Sequence, residues 1–190
     1  RWHDYYSLLQ IDIGAAHLAL EDIAKARIAA DTALETANLL RTLDPQSIDW
    51  TLNNRWRSLL LAIRCAQADS DMKMAETYLQ QAERIAADLK ELKGALSLRL
   101  GLGTRLLRAR QFIIAGAKEE AEQFAQTALS DFDSHTAGAG IEHRIDLVEV
   151  SIIADEIIRA ATLAQEIDAA GYRHPDFIRL KTRIAALKGG

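Results

Sequence analysis

Small residues recur along the chain at i, i+4 and i+7. They appear as Ala26, Ala30 and Ala33 followed by Leu34, then as Ala75, Leu79 and Ala82, then as Ala121, Ala125 and Ala128 followed by Leu129, with a weaker fourth copy at Ala160, Ala164 and Ile167. Such positions share one face of an α-helix, and small side chains there let a neighbouring helix come close. The copies begin 49, 46 and 39 residues apart, a spacing of the kind shown by stacked helical pairs. Each copy is expected on the second helix of a pair. A short polar break precedes it: Glu21-Asp22, Asp69-Ser70-Asp71, Gly116-Ala117-Lys118 and, less clearly, Ala154-Asp155. Two or three residues suffice to join antiparallel neighbours.

Composition agrees with an all-α chain. The 190 residues include 33 Ala and 26 Leu against 2 Val and 2 Pro, rich in good helix formers and poor in strand formers. Helices are predicted at 4–20, 22–43, 48–68, 71–92, 95–115, 117–132, 141–153, 155–170 and 175–187. Pro45 and Pro175 stand before or at helix starts, where a missing N–H costs nothing, and Gly94 and Gly171 close helices. Ser134–Gly140 is the one real loop and the expected mobile segment. The reading is about four units, at 4–43, 48–92, 95–132 and 141–170, and a C-terminal helix at 175–187, in a single repeat domain.

Charge and cysteine narrow the function. With 23 Lys and Arg against 27 Asp and Glu the formal charge is −4, and this charge, spread over both signs, argues against nucleic acid as the main partner, because phosphate binding depends on clustered excess Lys and Arg. No charge-free run reaches the ~18 residues of a membrane span. The lone Cys65 sits in the apolar run Leu59–Ala66 and is expected to be buried and inert; the cytoplasm is favoured, with the periplasm left open. The opening Arg-Trp-His-Asp has neither an initiator Met nor a signal-peptide profile. The chain is therefore expected to be a piece of a longer protein.

These residues resemble the tetratricopeptide repeat. Gly14 falls at the small position of a first helix, and Ala26, Ala30, Ala33 and Leu34 match those of a second. Ala109, Phe112, Gly116, Ala121, Ala125, Ala128 and Leu129 do the same in the third unit, while Ile63 stands where a small residue is usual. The likeness covers about residues 5–132 well and 141–170 poorly, and the period of 46 to 49 exceeds the family's ~34. Asp44-Pro45-Gln46-Ser47-Ile48-Asp49-Trp50 is similar to the Asp-Pro-x-Asn-x-x-Trp joint of long repeats that trail bacterial signalling proteins, with Ser47 for Asn. Gly171–Phe177 resembles a segment that closes some of those arrays, which follow a kinase, a winged-helix domain or a receptor-like signalling domain. The resemblance implies a right-handed α-solenoid of antiparallel helix pairs acting as an interaction module.

In such a stack the first helices line the concave face. Asn53, Arg57, Leu60, Arg64 and Gln67 share one helical face in the second unit, and Arg99, Leu106 and Arg110 occupy equivalent positions in the third. The corresponding stripes at the two ends, Asp4, Leu8, Ile11, Ala15 and Gly138, Glu142, Ile145, Glu149, turn acidic. No acid occurs from Leu92 to Lys118, where Lys93, Arg99, Arg105, Arg108, Arg110 and Lys118 supply six positive charges. Leu96, Leu100, Leu107 and Ile114 fill one flank of that helix, and Leu98, Leu102, Ala109 and Ile113 the other, so two neighbours are expected. Guanidinium groups suit capture of carboxylate or phosphate. They serve equally as structural cations, with stems over apolar surface or paired to acids of adjacent helices.

Other chemistry fails on spacing. Asp131, Asp133, His135 and Glu142 approximate an EF-hand loop, but Thr136 holds the position that requires Gly. His3, His17, His135, His143 and His174 are dispersed, so neither zinc nor any other cofactor is expected. Ser70-Asp71-Met72-Lys73 reads as helix capping, Gly101-Leu102-Gly103 as close helix packing, and Trp2, Trp50 and Trp56 as core or joint residues. No nucleophile, base and orienter come together, and an enzyme is not expected. The chain reads as a module binding an acidic protein or peptide segment in a concave groove. The alternative is a ligand-sensing regulatory domain of a bacterial transcription regulator or kinase, distinguished by a closed pocket of a few hundred Å³.

Overall fold

The fold was obtained as a computed structural model, which describes residues 2–89, 95–133 and 141–189. All regular structure among them is helical: α1 (Trp2–Ala19), α2 (Ile23–Leu43), a π-helical segment (Trp50–Trp56) running into α3 (Arg57–Ala68), α4 (Met72–Asp88), α5 (Ala95–Ile114), α6 (Lys118–Asp133), α7 (Ile141–Ile153), α8 (Ile157–Ala169) and α9 (Pro175–Lys188). The loop expected at 134–140, Gly94 and the last residues of the helix predicted to reach 92 lie outside the described residues. The chain divides into two compact units, Arg1–Asp88 and Leu89–Gly190.

Four turns share one build. At Glu21, Ser70, Gly116 and Asp155 the backbone enters the left-handed region, with φ of 63°, 58°, 79° and 61°. The following residue donates its N–H back across the turn: Asp22 to His17 O at 2.9 Å, Asp71 to Ala66 O at 2.8 Å, Ala117 to Phe112 O at 2.9 Å and Glu156 to Ser151 O at 2.8 Å. That bond satisfies a carbonyl which the ending helix would leave unpaired, as in a Schellman motif. The same four residues then open the next helix by accepting from Ala26 (3.0 Å), Ala75 (2.9 Å), Ala121 (3.1 Å) and Ala160 (3.0 Å). Turn and small-residue triad are thus locked in register, and the left-handed residues repeat at the 49, 46 and 39 residue spacing of the triads.

The triads are the seams of the pairs. Ala26, Ala30 and Ala33, then Ala75, Leu79 and Ala82, then Ala121, Ala125 and Ala128, and finally Ala160, Ala164 and Ile167 are all buried. In the first unit α1 packs on α2, α2 on α3, and α3 on α4. A Cβ on Gly14 would come 2.5 Å from Leu61 Cδ2, 3.2 Å from Ala29 Cβ and 3.3 Å from Ala26 O, so hydrogen at this position lets α1, α2 and α3 meet. Gly101 differs: a Cβ there would touch nothing within 4 Å. The close packing expected of the Gly101-Leu102-Gly103 run therefore does not apply to Gly101.

In the second unit α5 packs on α6, α7 rests against both, α8 against α7, and α9 against α7 and α8. Leu102, Leu106, Ala109, Leu129, Phe132, Leu147 and Val150 form one buried cluster; Val148, Ile167, Phe177 and Leu180 belong to a second. Gly171 (φ 78°) turns the chain into α9. His174 caps that helix, Nδ1 accepting from Asp176 N–H at 3.3 Å, and Pro175 follows as its first residue.

The joint before α3 is built from the expected string. Asp44 Oδ1 accepts from Gln46 N–H at 3.1 Å, and Ser47 Oγ accepts from Trp50 N–H at 3.3 Å, so Ser47 caps the helix as an Asn would. Of the three tryptophans, Trp56 is buried and Trp50 half-buried. Trp2 is neither core nor joint: it is 87% exposed on α1. The Ser70-x-x-Lys73 string is also corrected in detail, because Asp71 is the capping residue, its Oδ1 accepting from Met74 N–H at 3.0 Å. Ser70 supplies the left-handed turn.

Candidate partner-binding surface

The sequence-derived stripe falls in both units. In the first, Asn53 is exposed in the π-helical segment, Arg57, Leu60 and Arg64 are half-buried along α3, and Gln67 is buried. In the second, the side chain of Arg99 lies outside the described residues. Leu106 belongs to the core cluster with Ala109, Ala121 and Ala125, so its side chain contributes packing rather than contact surface. At the acidic ends, Ile11 is buried, Asp4, Leu8 and Ala15 are half-buried, and Gly138 and the side chain of Glu142 lie outside the described residues.

Two of the arginines already hold acids of neighbouring helices. Arg57 Nη2 reaches Asp12 Oδ1 at 3.4 Å, with Asp12 70% exposed. Arg110 grips Glu149 through both guanidinium edges: Nε donates to Oε1 at 2.5 Å, and Nη2 donates to Oε2. Burial works against the Arg110 charge, but the Glu149 carboxylate outweighs it, with Asp146 and Asp176 adding to the field, and the guanidinium pKa rises above its usual value. Elsewhere on α5, Arg105 Nη1 meets Asp131 Oδ2 at 2.5 Å. Arg110 is held by a largely buried carboxylate, whereas the acids that Arg105 and Arg57 meet, Asp131 and Asp12, are both exposed.

Sequence reasoning missed two neighbours of the stripe. Asn54, beside the exposed Asn53, is fully buried and donates from Nδ2 to Asp4 O at 3.1 Å, tying the π-helical segment to α1. Arg55 donates from Nη2 to Gln81 Oε1 at 3.4 Å. Burial and then the nearby Arg41 depress the Arg55 pKa. The signal for Asn54 was in the spacing: 54, 58, 61 and 65 share one helical face, and Ser58, Leu61 and Cys65 on it are buried.

Cys65 is 1% exposed, and burial pushes its thiol up to about 11. Among the described residues no three His, Cys, Asp or Glu side chains come together to hold a metal ion, and no helix is long and apolar enough to cross a membrane. No protein-family model matches the chain, and neither a curated protein nor a solved structure matches it.

Proposed function

We propose that the chain is a tetratricopeptide-like helical-repeat domain, a right-handed solenoid of antiparallel pairs, that binds an acidic peptide segment of a protein partner. The observation that supports this most is the fourfold coincidence of left-handed turn, backward hydrogen bond and buried small-residue triad. Repeated helix pairs of this build give extended surfaces suited to recognising peptides rather than closed catalytic clefts.

The α3 face of the first unit is the proposed contact, with Arg57 and Arg64 as charge donors and Asn53 as an exposed amide. A partner carboxylate displaces the exposed Asp12 from Arg57 and gains a charge-assisted hydrogen bond. Leu106 and Arg110 are left out of this contact, the one being core and the other held by Glu149.

Fluorescence anisotropy with a labelled peptide of alternating Glu and Leu, against its Lys counterpart, tests the reading. The expected result is binding of the acidic peptide at about micromolar Kd, weakened at least about tenfold in Arg57→Glu/Arg64→Glu while helicity is kept. Equal binding of both peptides, or binding that the double variant leaves unchanged, would overturn it.

A further inference from the structure

Helix α1 is apolar on two opposite sides, and among the described residues of the first unit only one of them is covered. Its inner face, with Ser7, Ile11, Gly14 and Ala19, is buried against α2 and α3. Its outer face carries Trp2, Tyr6, Leu9, Ile13 and Ala16, and Leu20 continues it in the turn that follows, all exposed. Their spacing runs 4, 3, 4, 3, 4, which is the seam of a two-helix coiled coil rather than the broader stripe of a helix lying on a globular core.

We propose that this seam is a homodimer interface, in which α1 packs against α1 of a second copy of the chain. Three observations choose that occupant. The first is the strict heptad spacing, which an identical helix satisfies knob for hole and which requires a helical partner of the same repeat.

The second is area. Trp2 is 87%, Leu9 55% and Leu20 75% exposed. With an aromatic side chain presenting roughly 150–250 Å², the seam leaves on the order of 600–700 Å² of apolar surface per copy. That exceeds the ~300–600 Å² patch of an ordinary monomer. Doubled, it reaches about 1,300 Å², within the range of stable specific interfaces.

The third is charge. The seam holds no ionisable group apart from the Tyr6 phenol, and the positions beside it are His3, Gln10, His17, Tyr5 and Asp12. The single acid among them, Asp12, is engaged by Arg57. Copy therefore meets copy without like-charge repulsion, and the flanks offer no surplus charge that would select a strongly acidic or basic partner instead. The dimer is argued for the chain without peptide, since a peptide on α3 would release Asp12 beside the seam.

Sedimentation equilibrium of the 190-residue chain from about 1 to 100 µM is the test, a range that brackets the affinity of an interface this size. The expected result is a concentration-dependent rise from the chain mass of 21.0 kDa to twice that value. Leu9→Glu or Ile13→Glu is expected to raise the dimer Kd at least tenfold. Because these side chains are exposed in the single chain, circular dichroism of the variants should match the wild type, and so should melting at a concentration well below the wild-type dimer Kd; Leu9→Gln replaces Leu9→Glu should helicity fall. A wild-type chain that stays at 21.0 kDa throughout, or a dimer that neither seam variant weakens, overturns the proposal.

Discussion

Arg110 on α5 and Glu149 on α7 are joined through both edges of the guanidinium, and the carboxylate is 12% exposed. The pair fastens α5 to α7 through residues 39 apart in sequence. Removing Glu149 takes from the partly buried Arg110 its two-edged carboxylate partner, which costs more than an exposed ion pair is worth. Glu149→Ala is expected to lower stability by about 2–3 kcal/mol, read as a lower midpoint in urea denaturation with an unchanged slope. Arg110→Glu, which sets two carboxylates face to face, should be the more damaging, so this variant reports on folding before it reports on binding.

Gly14 and Gly101 are both helical glycines with opposite expected responses to alanine. At Gly101 the new methyl meets nothing, so the substitution gains helix propensity of about 0.5–1 kcal/mol. At Gly14 it meets the buried Leu61 and Ala29, and overpacking of about 1–3 kcal/mol outweighs the same gain. Thermal melting should show Gly101→Ala above and Gly14→Ala below the wild type.

The repeated turns allow a similar comparison. Ser70 holds a left-handed backbone at φ 58°, and Gly116 does so at 79°. A side chain in that region costs roughly 1 kcal/mol. Ser70→Gly is therefore expected to raise the melting temperature, and Gly116→Ala to lower it, although a Cβ on Gly116 would touch nothing within 4 Å.

Asp168 binds two cations, Lys181 Nζ and Arg173 Nη1, each at 2.8 Å. The hydrogen bond from Lys181 comes first among the causes that depress its pKa below the ordinary carboxylate value. A depressed folded pKa means that the stabilisation is complete above the unfolded value near 3.9 and is lost as pH falls through the lower folded value. Asp168→Asn should thus melt below the wild type at neutral pH, with the difference vanishing at strongly acid pH.

Cys65 offers a probe of opening. With its thiol buried and its pKa raised to about 11, a thiol-reactive chromophore at pH 8 should label it only at the rate at which the first unit opens, and at once in denaturant. Fast labelling of the native chain would contradict the burial of α3.

Much of the fold was legible because the relevant physics is local. Ala, Leu and the triads mark helical seams, and the polar breaks at Glu21, Ser70, Gly116 and Asp155 fall where the left-handed turns lie. What escaped was three-dimensional. Helical spacing put Leu106 and Arg110 on a contact stripe, but spacing alone does not say which side of α5 the core occupies, and Leu106 is in it. Asn54 could have been placed, because it shares the i, i+4, i+7 and i+11 face of Ser58, Leu61 and Cys65, all buried. Trp2 was expected in the core or at a joint, yet its neighbours on α1 build a second apolar face that no other described residue of the first unit covers.

The peptide reading depends on the α3 surface itself, which Arg Nε–H and backbone amide NMR spectra can follow during titration with the acidic Glu/Leu peptide. The expected result is a set of shifts centred on Arg57 and Arg64, extending to Asp12 as its carboxylate is released, with the Arg110 Nε–H resonance unmoved. Shifts that spare Arg57 and Arg64, or an unchanged spectrum at saturating peptide, would contradict it.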